Sequence, residues 1–202
     1  MYLGGIPGTT RSDALAWYAK VGDQDLLRSV AGSYYEGQGK PLDAGFGLLL
    51  YASTDDMETL EWVGDRYMEG KGVPQDLDRA LDAYYRSCEK GNSELCRKVA
   101  YHLFDEELFQ QSERFFRILA DQGDRESQYI MGVLNDGLGG HEDLEAAYRY
   151  YSLAAEQGIS DAKVAARQIG KRLKREAGRL NRLGMASPDQ PLIFKTHIFL
   201  ER

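Results

Sequence analysis

The sequence predicts an all-α fold, a solenoid of about four helix-pair repeats closed by a C-terminal helix. Three observations carry this expectation. From Tyr67 to Gly91 the chain spells a whole helical hairpin: one helix ends at Gly70, a loop holds Gly70, Gly72 and Pro74, and a second helix runs from Asp76 to Gly91. Gly and Pro break the helices there, and Asp76 suits an N-cap, whose side chain accepts from first-turn amides. The closing glycines Gly91, Gly123 and Gly158 then recur at intervals of 32 and 35 residues, a period that belongs to helical repeats. Aromatic residues recur ahead of them, at Tyr84, at Phe115 and Phe116, and at Tyr150 and Tyr151. Their regular placement reads as core packing between hairpins.

Composition bounds the rest. The 202 residues are 43% hydrophobic and 11% aromatic, enough for a packed core. There is no run of 18 or more apolar residues, so the sequence predicts no membrane-spanning helix. The net charge of −7 is uneven. Residues 1–162 carry 15 Lys+Arg against 29 Asp+Glu, a net −14, and residues 163–202 carry 10 against 3, a net +7. Such an acidic body disfavours nucleic acid as the main partner.

The series Gly64, Tyr67, Gly70, Gly72, Val73, Asp76, Ala80, Tyr84 and Gly91 resembles the Sel-one-like repeat, a relative of the tetratricopeptide repeat. The resemblance implies a right-handed α/α superhelix of antiparallel helix pairs, with members acting as adaptors and binding scaffolds.

The copies follow in order. Residues 1–22 read as a partial repeat, in which Ala14, Trp17 and Tyr18 match the family's second helix and Gly22 closes it early. Met1 to Ile6 look like the tail of a first helix, which suggests an artificial or processed chain start. In residues 23–55, Tyr34, Gly37 and Gly39 repeat Tyr67, Gly70 and Gly72, and a second helix is expected from about Leu42 to Ala52, weakened by Gly45 and Gly47. Residues 56–92 are the strong copy. Residues 93–124 lack the glycine loop; Asp105, Glu106 and Glu107 stand in its place, which predicts a shorter turn. Residues 125–159 return to the pattern with Gly132, Gly137, Gly139 and Ala147. Residues 160–202 form the remaining segment. Its helix, from Asp161 to about Leu183, has a polar face bearing Lys163, Arg167, Lys171, Arg172, Lys174, Arg175, Arg179 and Arg182. That face reads as a solvated end cap or as a patch for phosphate or a membrane surface. Pro188 and Pro191 then mark a linker before an extended apolar segment over 192–200.

No catalytic constellation stands out. His102, His141 and His197 lack metal-ligand spacing, and no nucleophile elbow or phosphate-binding loop is present. No enzyme, cofactor or metal is expected; a cell-wall or β-lactam hydrolase is the weaker alternative. Cys88 and Cys96 flank the turn at Gly91-Asn92. Their spacing is similar to that of the family's cysteine-rich secreted branch, which implies a disulfide and a periplasmic or secreted location. Two reduced, buried thiols in a cytoplasmic protein are the other reading.

The expected function is protein binding. In the related tetratricopeptide geometry the first helix of each pair lines the concave face. That register selects Arg28 and Tyr35, then Glu58, Glu61, Asp65 and Met68, then Arg97, Tyr101 and Phe104, then Tyr129. The set mixes acid, which steers a basic partner, with aromatic anchors. The resemblance also implies candidate roles. One is an immunity protein that neutralises a secreted phospholipase-type effector; another is an adaptor or scaffold for envelope assembly or signalling.

Overall fold

The computed structural model of the chain describes residues 10–37 and 42–182. The expectations for Met1 to Ile6, Gly39, the prolines at 188 and 191 and the apolar segment 192–200 lie outside the described residues. The fold is all-α, built of repeated helix pairs. The helices are α1 (Arg11–Val21), α2 (Gln24–Glu36), α3 (Ala44–Ala52), α4 (Met57–Glu69), α5 (Leu77–Glu89), α6 (Ser93–Asp105), α7 (Phe109–Asp121), α8 (Arg125–Asn135), α9 (Leu144–Glu156) and α10 (Ser160–Arg182). They fall into two compact units, 1–127 and 128–202.

In the first unit α2 pairs with α3, α4 with α5 and α6 with α7. Each second helix begins the same way where the sequence allows it. Asp43 caps α3 by accepting from the Phe46 amide, and Asp76 caps α5 by accepting from the Arg79 amide. The Asp76 N–H donates to the Tyr67 carbonyl at 2.9 Å, and the Asp43 N–H donates to the Tyr34 carbonyl at 2.9 Å. One aspartate therefore ends the loop twice over, through its side chain and its amide. The third pair lacks this residue, and Leu108 precedes α7 without a side-chain cap. Its connection is short, as expected, and Glu107 takes the left-handed conformation at φ 59° that glycine supplies elsewhere.

The glycines inside helices are explained by contact. A Cβ on Gly64 would lie 2.3 Å from Cε1 of Tyr84, because that ring of α5 rests on the α4 backbone. A Cβ on Gly47 would lie 2.7 Å from the backbone nitrogen of Tyr35, which is how α3 packs against α2 despite its glycines. The core of this unit includes Leu27, Leu50, Leu60, Val63, Ala80, Tyr84, Phe115 and Phe116. In α1, Ala14 joins the core but Trp17 is 45% exposed. That departs from a buried helix signature.

The second unit repeats the arrangement. A Cβ on Gly132 would lie 2.4 Å from Cδ1 of Tyr151. Asp143 caps α9 and its N–H donates to the Asn135 carbonyl at 2.8 Å. An isolated antiparallel bridge joins Asp136 and Glu142. Ala162, Ala166 and Ile169 of α10 share one core with Ala147, Tyr151 and Ala154 of α9. The basic helix is thus packed into the same unit as the last repeat.

Candidate functional site

The residues selected for a groove meet different fates. Four belong to α4. Glu58, in its first turn, is exposed and has no partner among the described residues. Glu61 Oε2 accepts from Asn92 Nδ2 at 2.7 Å, and Asp65 Oδ1 accepts from the Tyr84 hydroxyl at 2.8 Å. These two carboxylates are engaged by the second helix of their own pair and by the turn after it. Burial, then the hydrogen bond to Asp65, pushes the Tyr84 hydroxyl well above the ordinary tyrosine value. Met68 is half-buried, and its carbonyl accepts from Gln75 Nε2 at 2.9 Å.

On α6, Arg97 donates to Asp124 at 2.8 Å. Burial would raise the Asp124 carboxyl, but hydrogen bonds from Arg97 and Ser127 outweigh it and hold it below its usual value. Tyr101 and Phe104 place ring edges on Phe116, with centroids 5.1 and 5.9 Å away, and Phe104 also meets Phe109 at 5.4 Å. They pack the α6–α7 hairpin rather than standing free. Tyr129 belongs to the other unit, where its ring lies 5.7 Å from that of Tyr151.

What the structure does bring together centres on Trp62. Arg28 of α2, Tyr51 of α3, Asp56 and the α4 residues Glu58, Thr59 and Trp62 line an open cleft of about 380 Å³. Trp62 sits between two tyrosines, with ring centroids 5.2 Å from Tyr35 and 5.1 Å from Tyr51. The Tyr35 hydroxyl donates to the Lys71 carbonyl at 3.0 Å, which ties the cluster to the next repeat's loop. Arg28 lies 3.4 Å from Asp25 and 3.6 Å from Asp56. Asp56 caps α4 through Thr59, and those hydrogen bonds, foremost from the Thr59 hydroxyl, hold its carboxyl below the usual range. The groove register found Arg28, Glu58 and Tyr35 but missed Tyr51, Asp56, Thr59 and Trp62. Trp62 was within reach, four residues after Glu58 and so on the same helix face.

Cys88 and Cys96 are fully buried and unbridged in this structure. Cys96 Sγ donates to the Phe115 carbonyl at 3.5 Å. The Cys88 thiol is pushed far up, first by its hydrogen bond with Cys96 and then by burial. Among the described residues no group of three or more His, Cys, Asp and Glu could hold a metal ion. No described helix is long and apolar enough to cross a membrane.

Comparison with family models matches the Sel1 repeat at residues 60–92 and 125–159. The copies at 23–55 and 93–124 lie outside those matches, yet they form the pairs α2–α3 and α6–α7. Among solved structures, c5321, a protective antigen of uropathogenic Escherichia coli strains with an SLR fold, is 21% identical. It covers 81% of this chain and 45% of its own, with a TM-score of 0.37. A Sel1 repeat protein from Oxalobacter formigenes is 20% identical and covers 72% of this chain and 63% of its own, with a TM-score of 0.38. This chain spans less than two thirds of either structure. No curated protein matches it.

Proposed function

We propose that this chain, which carries two matches to the Sel1 repeat, a repeat that in general serves protein–protein interaction, is a non-catalytic module that holds a partner protein at the Trp62 cleft. The observation that carries this reading is the charge left over there. Arg28 is matched by Asp25 and Asp56, whereas Glu58 is exposed and unmatched among the described residues, beside Trp62 and Tyr51. Arg66 already lies over the Trp62 ring, 5.3 Å from its centroid, so the free attraction at the cleft is the Glu58 carboxylate, which suits a cationic side chain of the partner. The partner therefore presents a lysine or arginine anchor.

The test uses the chain's two tryptophans. Trp17→Phe leaves Trp62 as the sole indole, and a partner captured from the native host is titrated against it. Binding should shift the Trp62 emission. Glu58→Lys should slow association, and more so at low salt. An unchanged emission together with unchanged association of Glu58→Lys would place the partner elsewhere.

Within this reading the chain works in a bacterial envelope, most simply the periplasm. There it is either an immunity protein against a phospholipase-type effector or a scaffold or signalling adaptor. The support for that setting is the spacing of Cys88 and Cys96. Capture of a lipase-like effector favours immunity, and capture of an assembly or secretion component favours the scaffold.

A further inference from the structure

Cations in this protein are mostly spent on neighbours. In the first unit Arg28, Arg66, Lys71, Arg79, Arg86, Lys90, Arg97, Lys98, Arg117 and Arg125 all pair with a carboxylate, and Arg114 lies over the Tyr85 ring. Helix α10 breaks that habit. Arg172 alone of its cations is tied down, to Asp136 at 2.9 Å and Glu142 at 2.5 Å. Lys163, Arg167, Lys171, Lys174, Arg175, Arg179 and Arg182 are all exposed and have no partner among the described residues.

Their placement is one-sided. At 3.6 residues per turn these seven fall within an arc of about 160°, along about 28 Å of helix. The opposite side holds Ala162, Ala166 and Ile169, which are buried with α9. Asp161 reaches the arc only at its edge, in the first turn, and Glu176 lies outside it.

We propose that the outer face of α10 docks on an anionic lipid bilayer, lying on the headgroups without inserting. The absence of insertion follows from the packing, since the apolar side of the helix is already used. Val164, 53% exposed, is the one large apolar side chain open on the arc. A bilayer also suits the array better than other polyanions. Lipid headgroups move laterally to meet a broad cationic face that lacks a register. The arc has no aromatic side chain on which single-stranded bases could stack. Duplex DNA is a rigid polyanion whose phosphates keep a fixed spacing and cannot rearrange to meet a face without a register. A protein surface would need a larger apolar anchor than the single Val164 on the arc. Clusters of this size on an amphipathic helix gain roughly fivefold in surface affinity per cation.

The experiment is co-sedimentation of the full chain with vesicles of phosphatidylcholine alone, or of phosphatidylcholine and phosphatidylglycerol in equal parts. Binding to the anionic vesicles alone is expected. It should fade towards 1 M salt, where screening acts within about 3 Å. The triple variant Lys171→Gln, Lys174→Gln, Arg175→Gln should bind about 100-fold more weakly with its helical circular dichroism unchanged. Lys171→Arg with Lys174→Arg should bind as the parent does, which separates charge from any effect on folding. Failure of the parent to bind anionic vesicles at low salt would overturn the proposal, as would full binding by a folded triple variant. Tighter binding to duplex DNA than to the vesicles at equal salt would overturn it in favour of a nucleic-acid surface.

Discussion

Replacing Gly64 with alanine should destabilise the protein, although alanine is the better helix former. Every Gly→Ala change inside a helix gains about 1 kcal/mol from propensity. At Gly64 the added methyl would lie 2.3 and 2.5 Å from Cε1 and Cδ1 of Tyr84, well inside contact distance. The ring has little room to retreat, because Tyr84 is buried and its hydroxyl is held by Asp65 at 2.8 Å. Overpacking a filled site costs about 1–3 kcal/mol. Pulling a hydrogen bond off a carboxylate costs about 1.5–3 kcal/mol. After the propensity gain, a net loss of about 1.5–5 kcal/mol remains. Gly178 is the control. It too lies inside a helix, but a Cβ there would meet nothing within 4 Å, so Gly178→Ala should gain about 0.5–1 kcal/mol. Urea denaturation followed by circular dichroism measures both. The contact account of Gly64 is refuted if its alanine variant is as stable as the parent.

Three further outcomes are expected. Tyr101→Ala and Phe104→Ala should each cost about 1–3 kcal/mol in the same assay, because their rings pack on Phe116; unchanged stability would return them to the role of free binding anchors. Tyr84 and Tyr151 are both raised above the ordinary tyrosine value, chiefly by burial. The folded state thus favours their neutral form, and the stability this gives is present below about pH 10 and lost as pH rises beyond it; spectrophotometric titration should show two tyrosines ionising only as the protein unfolds. The periplasmic reading requires that Cys88 and Cys96, unbridged in this structure, become oxidised to a disulfide, so thiol titration in denaturant without reductant, on protein from an oxidising compartment, should find no free thiol. Two reactive thiols there would sink the bridge and the periplasmic setting together.

The parts legible from sequence were those whose cause is local. Asp76 was readable as a cap because the cap is satisfied by an amide three residues on. The missing glycine at 105–107 foretold a short turn for the same reason. Partners distant in sequence were not legible. Helix register placed Asp65 and Glu61 on the right helix, but their partners Tyr84 and Asn92 are 19 and 31 residues away. The same limit hid Tyr51, which reaches the Trp62 cleft from a second helix although the register considered only first helices. Trp17 matched a repeat motif, yet a motif does not report how deeply a side chain is buried, and Trp17 is 45% exposed.

The way each hairpin loop is closed has a consequence for how such a chain can change length. Around residues 137–141 the ends are latched independently of the loop's own content. The Asp143 amide reaches the Asn135 carbonyl, Asp136 bridges Glu142, and Arg172 grips both acidic side chains. Residues enclosed by such a latch are free to drift, lengthen or be exchanged while the helices below keep their register. Each doubling of such a loop adds only about 0.6 kcal/mol of closure entropy. This tip is therefore where a lineage can acquire an insertion, or an engineer an epitope, at the least cost to the stack.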